Sequence, residues 1–151
     1  MAMTFNFDCW LTSLHACEKF EREGDHEKFL TLLSEVEENM SCEVALALLQ
    51  TFSDADDFGI QERTRNILEA ADRSIIYPAL IAELGGIIKR APNKEWAITL
   101  VGIELDYGDF ELLLEYIKKS PDSERETAIS FLKSEDFSSE YPGVLKYLTN
   151  L

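Results

Sequence analysis

Apolar side chains recur at intervals of three and four residues along nearly the whole chain. In a helix this spacing places them on one side, whereas a half-buried strand would alternate apolar and polar residues. The run Phe29, Leu32, Leu33 and Val36 is typical of the pattern. No sustained alternating segment lies between hairpin turns. The spacing therefore predicts an all-α protein with about nine helices.

Capping and helix-breaking residues indicate where the helices begin and end. We expect helices to begin at or just after Asp8, Asp25, Ser41, the segment SDADD at 53–57, Tyr77, Asn93, Asp109, Ser120 and the segment FSSEYPG at 137–143. Gly24 should follow the last residue of the first helix, and Gly108 should adopt a positive φ in the turn DYGD at 106–109. Pro78 and Pro142 should occupy first-turn positions, where the missing N–H of proline costs no helical hydrogen bond.

One motif occurs twice, as YPALIAEL at 77–84 and as YPGVLKYL at 141–148. Similar helix starts fall near positions 41, 77, 109 and 141, and their partner helices start near 25, 57, 93 and 121. A period of 32 to 36 residues with two short helices per unit is typical of an α-solenoid. The repeat predicts stacked antiparallel helix pairs in an α/α superhelix over 25–151, most similar to HEAT repeats. An irregular helical bundle is the alternative.

The composition fits one folded domain spanning 1–151. With 151 residues and 46% hydrophobic content, the chain is long and apolar enough to bury a core. No apolar run approaches the roughly 18 residues that a membrane span needs. The N-terminal MAMTFNFDCW also lacks the basic flank and apolar stretch of a signal peptide. We expect a cytoplasmic protein in which Cys9, Cys17 and Cys42 are free, buried thiols.

Residue types that carry catalysis or hold metals are scarce. His15 and His26 are the only histidines, and the chain contains no HExxH motif, no His–Cys cluster and no nucleotide-binding glycine loop. Glu23 and His26 have the spacing of a helical metal-binding pair, but Gly24 separates them and no second copy exists. We therefore expect no enzymatic activity, no metal and no cofactor.

Negative charge is the strongest feature of the composition. The chain has 29 acidic and 14 basic residues and a formal net charge of −15. This charge repels nucleic acid and anionic lipid surfaces and attracts basic molecules. We therefore expect no nucleic-acid or membrane partner, and a basic protein partner becomes the leading hypothesis. Solubility alone is the competing explanation of the charge.

The acidic residues are unevenly distributed over the expected turns. In a stack of hairpins, the turns at 35–43, 69–73, 104–111 and 133–140 would share one side, here called the acidic edge, with 13 acidic and two basic residues. The turns at 21–28, 53–57, 89–95 and 118–124 would share the other side, the mixed edge, with 10 acidic and seven basic residues. Solubility does not require this segregation, whereas a basic partner explains it through charge complementarity.

The acidic edge supplies the candidate partner-binding residues. They are Glu37, Glu38, Asp72, Asp106, Tyr107, Asp109, Glu135 and Asp136. Carboxylates would pair with Lys or Arg of the partner, and an exposed Tyr107 would add an aromatic side chain of the kind enriched at binding hot spots. The alternative is that Tyr107 packs against Trp96 or Leu105 and that the carboxylates form only a solvated rim.

A family resemblance follows from these features. A small, acidic, helical-repeat chain that ends in SSEYPGVLKYLTNL resembles the all-helical immunity proteins of bacterial polymorphic toxin and contact-dependent growth inhibition systems. The resemblance implies binding to a cognate toxin domain, commonly a basic nuclease, and neutralisation by occluding its active site. It covers the whole chain in architecture and charge, but it assigns no family binding residue to a position in this sequence.

Two other classes of function remain open. A helical-repeat adaptor or scaffold would bind another cellular protein or a peptide on its concave surface. A helical enzyme with a site built from carboxylates alone is the third class. An immunity gene should lie directly downstream of a large toxin gene, whereas the gene of an adaptor need not.

Overall fold

The computed structural model describes residues 4–55, 59–149 and 151, and the regular secondary structure of that part is entirely helical, without strands. Its elements are α1 (Phe7–Cys17), α2 (Asp25–Val36), α3 (Cys42–Leu49), α4 (Ile60–Ala70), α5 (Arg73–Arg90), α6 (Trp96–Tyr107), α7 (Phe110–Lys119), α8 (Asp122–Lys133), α9 (Glu135–Glu140), a 3-10 turn (Pro142–Val144) and α10 (Leu145–Leu148). The predicted all-α class is confirmed.

Several helix starts follow the capping signals. The Ser41 hydroxyl accepts a hydrogen bond from Val44 N at 3.1 Å, and the Asp109 carboxylate accepts one from Leu112 N at 3.1 Å. Each cap satisfies an N–H that has no partner within the helix. Helix α2 begins at Asp25, as predicted. Residues 56 and 57 of the predicted break at 53–57 lie outside the described part.

Other predicted boundaries are wrong by several residues. Asn6, not Asp8, caps α1 through Cys9 N at 3.0 Å, and α1 ends at Cys17 rather than Glu23. Helix α6 begins at Trp96 after Glu95 rather than at Asn93. Pro121, not Ser120, directly precedes α8. At each of these helix ends the backbone does not adopt the conformation that the candidate capping side chain predicts. Helix boundaries predicted from sequence are commonly shifted in this way.

Pro78 contradicts the repeat prediction. Helix α5 starts at Arg73 because Asp72 caps it, its carboxylate accepting from Ser74 N at 2.8 Å, so Pro78 lies inside the helix. Pro142 does occupy the first position of its 3-10 turn. The two Tyr-Pro pairs therefore do not mark equivalent helix starts, and the period built on them fails.

The packing of the helices also differs from the predicted order. Helix α5 is central and packs most extensively against α3 and α8, with further contacts to α6 and α7. Contacts between alternate helices, such as α2 with α4, are those that a solenoid makes. Within the described residues, however, α2 makes few contacts with α3, and α4 makes few with α5. The predicted stack of helix pairs in sequence order is therefore not confirmed.

The sequence of α5 explains its central place. Buried side chains occur on several sides of the helix: Ile76, Tyr77, Ala79, Leu80, Ile81, Leu84 and Ile87. A helix that is apolar over most of its circumference must be covered by several neighbours. Although α5 has 18 residues, no helix in the described part is long and apolar enough to cross a membrane.

The cysteines are only partly as predicted. Cys17 is a buried free thiol, whereas the free thiols of Cys9 and Cys42 are exposed. Burial raises the pKa of Cys17, and the nearby Asp25 carboxylate adds to the increase. The prediction of buried thiols is therefore wrong for Cys9 and Cys42, each of which lies in the first turn of a helix and is exposed.

Asp54 ties two loops of the mixed edge together. Its carboxylate accepts hydrogen bonds from Asn93 N at 3.1 Å and from Lys94 N at 3.0 Å. Lys94 Nζ donates in return to the carbonyl oxygen of Ala55 at 2.7 Å. These bonds satisfy backbone N–H groups in the segment that joins α5 to α6. Asp54 therefore has a structural role.

Replacing Asp54 with alanine should lower the free energy of unfolding by about 1–2 kcal/mol, because both backbone N–H groups lose their acceptor. Asp54→Asn keeps one side-chain oxygen and should lose less than half as much. Urea denaturation followed by circular dichroism measures both variants. An alanine variant as stable as the parent would show that the loops are held by other contacts.

Candidate functional site

All eight predicted partner-binding side chains are exposed. Glu37 and Glu38 follow α2, Asp72 caps α5, Asp106 and Tyr107 end α6, Asp109 caps α7, and Glu135 and Asp136 lie in the first turn of α9. Exposure is necessary for contact with a partner. That these residues bind a partner stays a prediction.

A buried tyrosine joins three helices beneath these residues. The Tyr77 hydroxyl, on α5, donates to Glu104 Oε2 at 2.5 Å and accepts from Asp109 N at 3.0 Å. Tyr77 has no exposed surface, and Glu104 is only 7% exposed. One hydroxyl therefore fixes the last turn of α6 and the first residue before α7 relative to α5.

Burial shifts the ionisation of both side chains. It raises the pKa of Tyr77 to about 12, and the hydrogen bond to Glu104 adds to the increase. Burial also raises the pKa of Glu104, although the Tyr77 hydroxyl and the positive charge of Arg73 act in the opposite direction. The donated hydrogen bond thus makes a buried carboxylate tolerable.

Gly108 leaves room for this carboxylate. Its φ of −102° is negative, so the predicted positive φ is wrong. A Cβ atom at this position would overlap Glu104 Oε2 and lie 2.9 Å from the Glu104 Cα. Close approach, rather than backbone handedness, is why glycine is needed between Tyr107 and Asp109.

Tyr107 is the most prominent aromatic residue of this end. Its side chain is 84% exposed, so it does not pack against Trp96 or Leu105. Asp106 precedes it and Asp109 follows two residues later, both exposed. An exposed aromatic ring between carboxylates at the C-terminal end of α6 can contact an apolar surface and a cation together.

Tyr141, which follows α9, packs against the middle of α6. Its ring lies against Gly102, where a Cβ atom would overlap the ring. Burial raises the pKa of Tyr141, and the carboxylates of Asp106 and Glu140 add to the increase. The predicted segments 104–111 and 133–140 therefore lie beside each other, although no hydrogen bond or ion pair joins Glu135 or Asp136 to the other predicted residues in the described part.

The other two acidic segments also meet. Glu37 and Glu38 line a surface groove of about 610 Å³ together with Ala70 and Ala71, which lie next to Asp72. Arg73 in turn acts electrostatically on Glu104 and Asp109. Each of the four acidic segments is thus near at least one other.

The buried Tyr77–Glu104 pair was not predicted from the sequence. Glu104 falls within the predicted acidic segment 104–111, but its side chain is buried. A signal was available, because Glu104 lies four residues after the buried Leu100 and hence on the same side of α6. Nothing local predicted its partner, since Tyr77 is 27 residues earlier in the chain.

No metal-binding arrangement is found among the described residues. No three side chains of His, Cys, Asp or Glu lie close enough there to share an ion. The exposed carboxylates are spread over several helix ends instead of converging on one point. The expected absence of a metal or cofactor stays a prediction.

Tyr77→Phe should lower the free energy of unfolding by about 1–3 kcal/mol at neutral pH, because the buried Glu104 carboxylate loses its donor. Double-mutant analysis with Glu104→Leu, which removes both acceptor oxygens, checks the origin of the loss. The two changes should be less than additive, since each removes the same interaction. Additive losses would contradict a direct pair.

The stability contributed by Glu104 should depend on pH in a defined direction. Its folded-state pKa is raised above the ordinary value of 4.5, so its contribution is fully present below that value and is lost as pH rises through the raised pKa. Glu104→Gln should remove this part of the pH dependence. Denaturation of both proteins between pH 4 and 8 measures it, with a constant difference between the two curves as the contradicting result.

Comparison with known proteins returns no match. No protein-family model matches the chain. Neither the curated proteins nor the solved structures contain a significant match. The function of this acidic side of the molecule must therefore be argued from its geometry and charge.

Proposed function

We propose that this protein is an immunity protein that binds a basic toxin domain through its acidic edge and neutralises it by covering the active site. The observation that carries the proposal is Tyr107, an almost fully exposed aromatic side chain between the carboxylates of Asp106 and Asp109. A large exposed aromatic ring is costly to leave in water, and such rings are enriched at the centres of protein interfaces.

The charge of the chain favours a basic partner. A net charge of −15 raises the rate of encounter with a positively charged protein, and the exposed carboxylates of the acidic edge orient that encounter. A nuclease that binds RNA or DNA carries its positive charge around the active site. Carboxylates of this protein would occupy the positions of substrate phosphates, so no catalytic group of its own is needed.

The buried pair beneath the surface supports the same proposal. Tyr77 fixes the end of α6 relative to the start of α7, so the backbone of the α6 end that carries Tyr107 is held before binding. A preorganised surface loses less conformational entropy when it binds. We place this neutralisation in the cytoplasm, where a nuclease toxin would reach its substrate.

An adaptor that binds another cellular protein or peptide remains the alternative. Both functions use an acidic surface, but only an immunity protein protects cells from a toxin. The resemblance in size, charge and helical content favours immunity. A toxin domain encoded directly upstream of the gene is the partner to test first.

The structure refines the choice of variants. Asp109→Lys would remove the cap of α7 and so confuse binding with stability. Asp109→Asn removes the charge and keeps the cap, because Asn caps helices about as well as Asp. Asp54 is unsuitable as a control because its carboxylate holds two backbone N–H groups.

Tyr107→Ala should weaken binding to the toxin domain by about 2 kcal/mol or more, with little change in stability, because the ring makes few contacts within the protein. Asp106→Lys combined with Asp109→Asn should slow association and increase its salt dependence. Titration calorimetry and stopped-flow mixing measure the two effects, and survival of cells that express the toxin measures protection.

Ile88→Ala is the matched control. Ile88 is another exposed large apolar side chain, on α5, and it lies outside the acidic edge. Its replacement should leave binding and protection unchanged. Equal effects of the Tyr107 and Ile88 variants, or full protection by the Tyr107 variant, would overturn the proposed interface.

A further inference from the structure

The groove at the end of α2 has an apolar floor and an acidic rim. It has a volume of about 610 Å³ and is lined by Glu37, Glu38, Met40, Ile67, Ala70 and Ala71, among others. Met40, Ile67 and Ala71 are partly buried and pack against the core, whereas both glutamates are exposed. The groove can therefore take up apolar side chains while its rim remains in water.

The rim carboxylates are placed where they destabilise their own helix. Glu35 lies in the last turn of α2, Glu37 is its C-cap, and Glu38 follows. The C-terminal end of a helix carries a partial negative charge, so three acidic residues there are unfavourable, and α2 has no basic residue in its last turn. Within the described part of the chain, no ion pair involves Glu37 or Glu38.

The acidic rim continues into a second groove. That groove, of about 560 Å³, lies between α1 and α2 and is lined by Phe5, Trp10, Leu32, Glu35 and Glu38 as well as polar side chains. Glu38 lines both grooves. One basic residue, Arg63, lines the first groove, so carboxylates outnumber cations across the two grooves.

We propose that the groove between the end of α2 and α4 binds an amphipathic segment of the partner that is rich in lysine or arginine. Apolar side chains of that segment would lie on Met40, Ile67 and Ala70, and its cations would face Glu37 and Glu38. Those cations would also offset the unfavourable charge at the end of α2. The inference rests on the proposed function, because it names the part of the basic partner that this end of the acidic edge recognises.

A synthetic probe tests the groove without any toxin. The probe is a peptide of about 18 residues made of leucine and lysine, with leucine at the spacing of one helical face. The purified full chain, labelled with nitrogen-15, should show amide shifts centred on Met40, Ile67, Ala70 and Ala71. A peptide of the same composition with leucine and lysine scrambled should bind at least about fivefold more weakly, because it cannot present one apolar face.

Charge placement is tested with two variants that have the same net charge. Glu37→Lys with Glu38→Lys should weaken binding of the amphipathic peptide by about fivefold or more. Glu115→Lys with Glu126→Lys is the control, because both residues are exposed helix positions away from the groove and Glu126 lines a different groove, near Ile88. The control should weaken binding by less than about twofold.

Thermal unfolding gives an independent result. Glu37→Lys with Glu38→Lys should raise the midpoint by about 2–4 °C, because lysine suits a helix C-terminus. The control pair lies within helices and should give no comparable rise. A groove variant that is less stable than the parent would show that the two glutamates serve the fold, and the proposal would fail.

Three binding results would also overturn the groove assignment. They are an equal loss of peptide affinity in both charge variants, equal binding of a peptide in which glutamate replaces lysine, and amide shifts centred on residues outside the groove. None of them bears on the experiment with Tyr107 and the toxin domain. Conversely, a Tyr107 variant with full protection would overturn the proposed interface while the peptide result stood. The two failures are therefore distinguishable.

Discussion

Burial of α5 is the constraint on which the rest of the structure depends. Its apolar residues extend over most of the helix surface, so α3, α6, α7 and α8 must all contribute cover. Hydrophobic burial on several sides leaves little freedom in where those helices lie. As a result, the start of α5, the end of α6 and the start of α7 lie together. Their exposed carboxylates form part of the acidic edge.

The polar interactions at the two ends of α5 have different roles. Near its start, the Tyr77 hydroxyl bridges Glu104 and Asp109 and holds the α6–α7 connection from below. Near its end, Arg90 donates to the carbonyl oxygens of Leu49 and Phe52, and Asp54 holds the following loop. On the mixed edge, Asp54 and Arg90 thus act within the protein, whereas the acidic edge leaves most of its carboxylates exposed to solvent.

Some carboxylates at helix ends stabilise their helix, whereas others lower its stability. Asp72 and Asp109 are placed where a carboxylate caps a helix, and hydrogen bonds from Ser74 lower the pKa of Asp72. Glu37 and Glu38 follow a helix C-terminus, where negative charge is unfavourable. Residues that lower stability without an internal partner are candidates for a function outside the chain. Within the acidic edge, the glutamates of the groove therefore differ from the aspartates that cap helices, because only the glutamates lie where their charge is unfavourable.

The sequence by itself determined the all-α class, the helix caps at Ser41 and Asp109 and the exposure of the predicted partner-binding residues, because these follow from helical periodicity and local hydrogen bonding. It did not determine that Pro78 lies inside α5 or that Tyr141 packs on Gly102. The two copies of the Tyr-Pro motif therefore have different structures. Tertiary packing decided these points. Which helices cover α5, and hence that Glu104 is buried against Tyr77, depends on contacts between residues far apart in the chain, which no local pattern encodes.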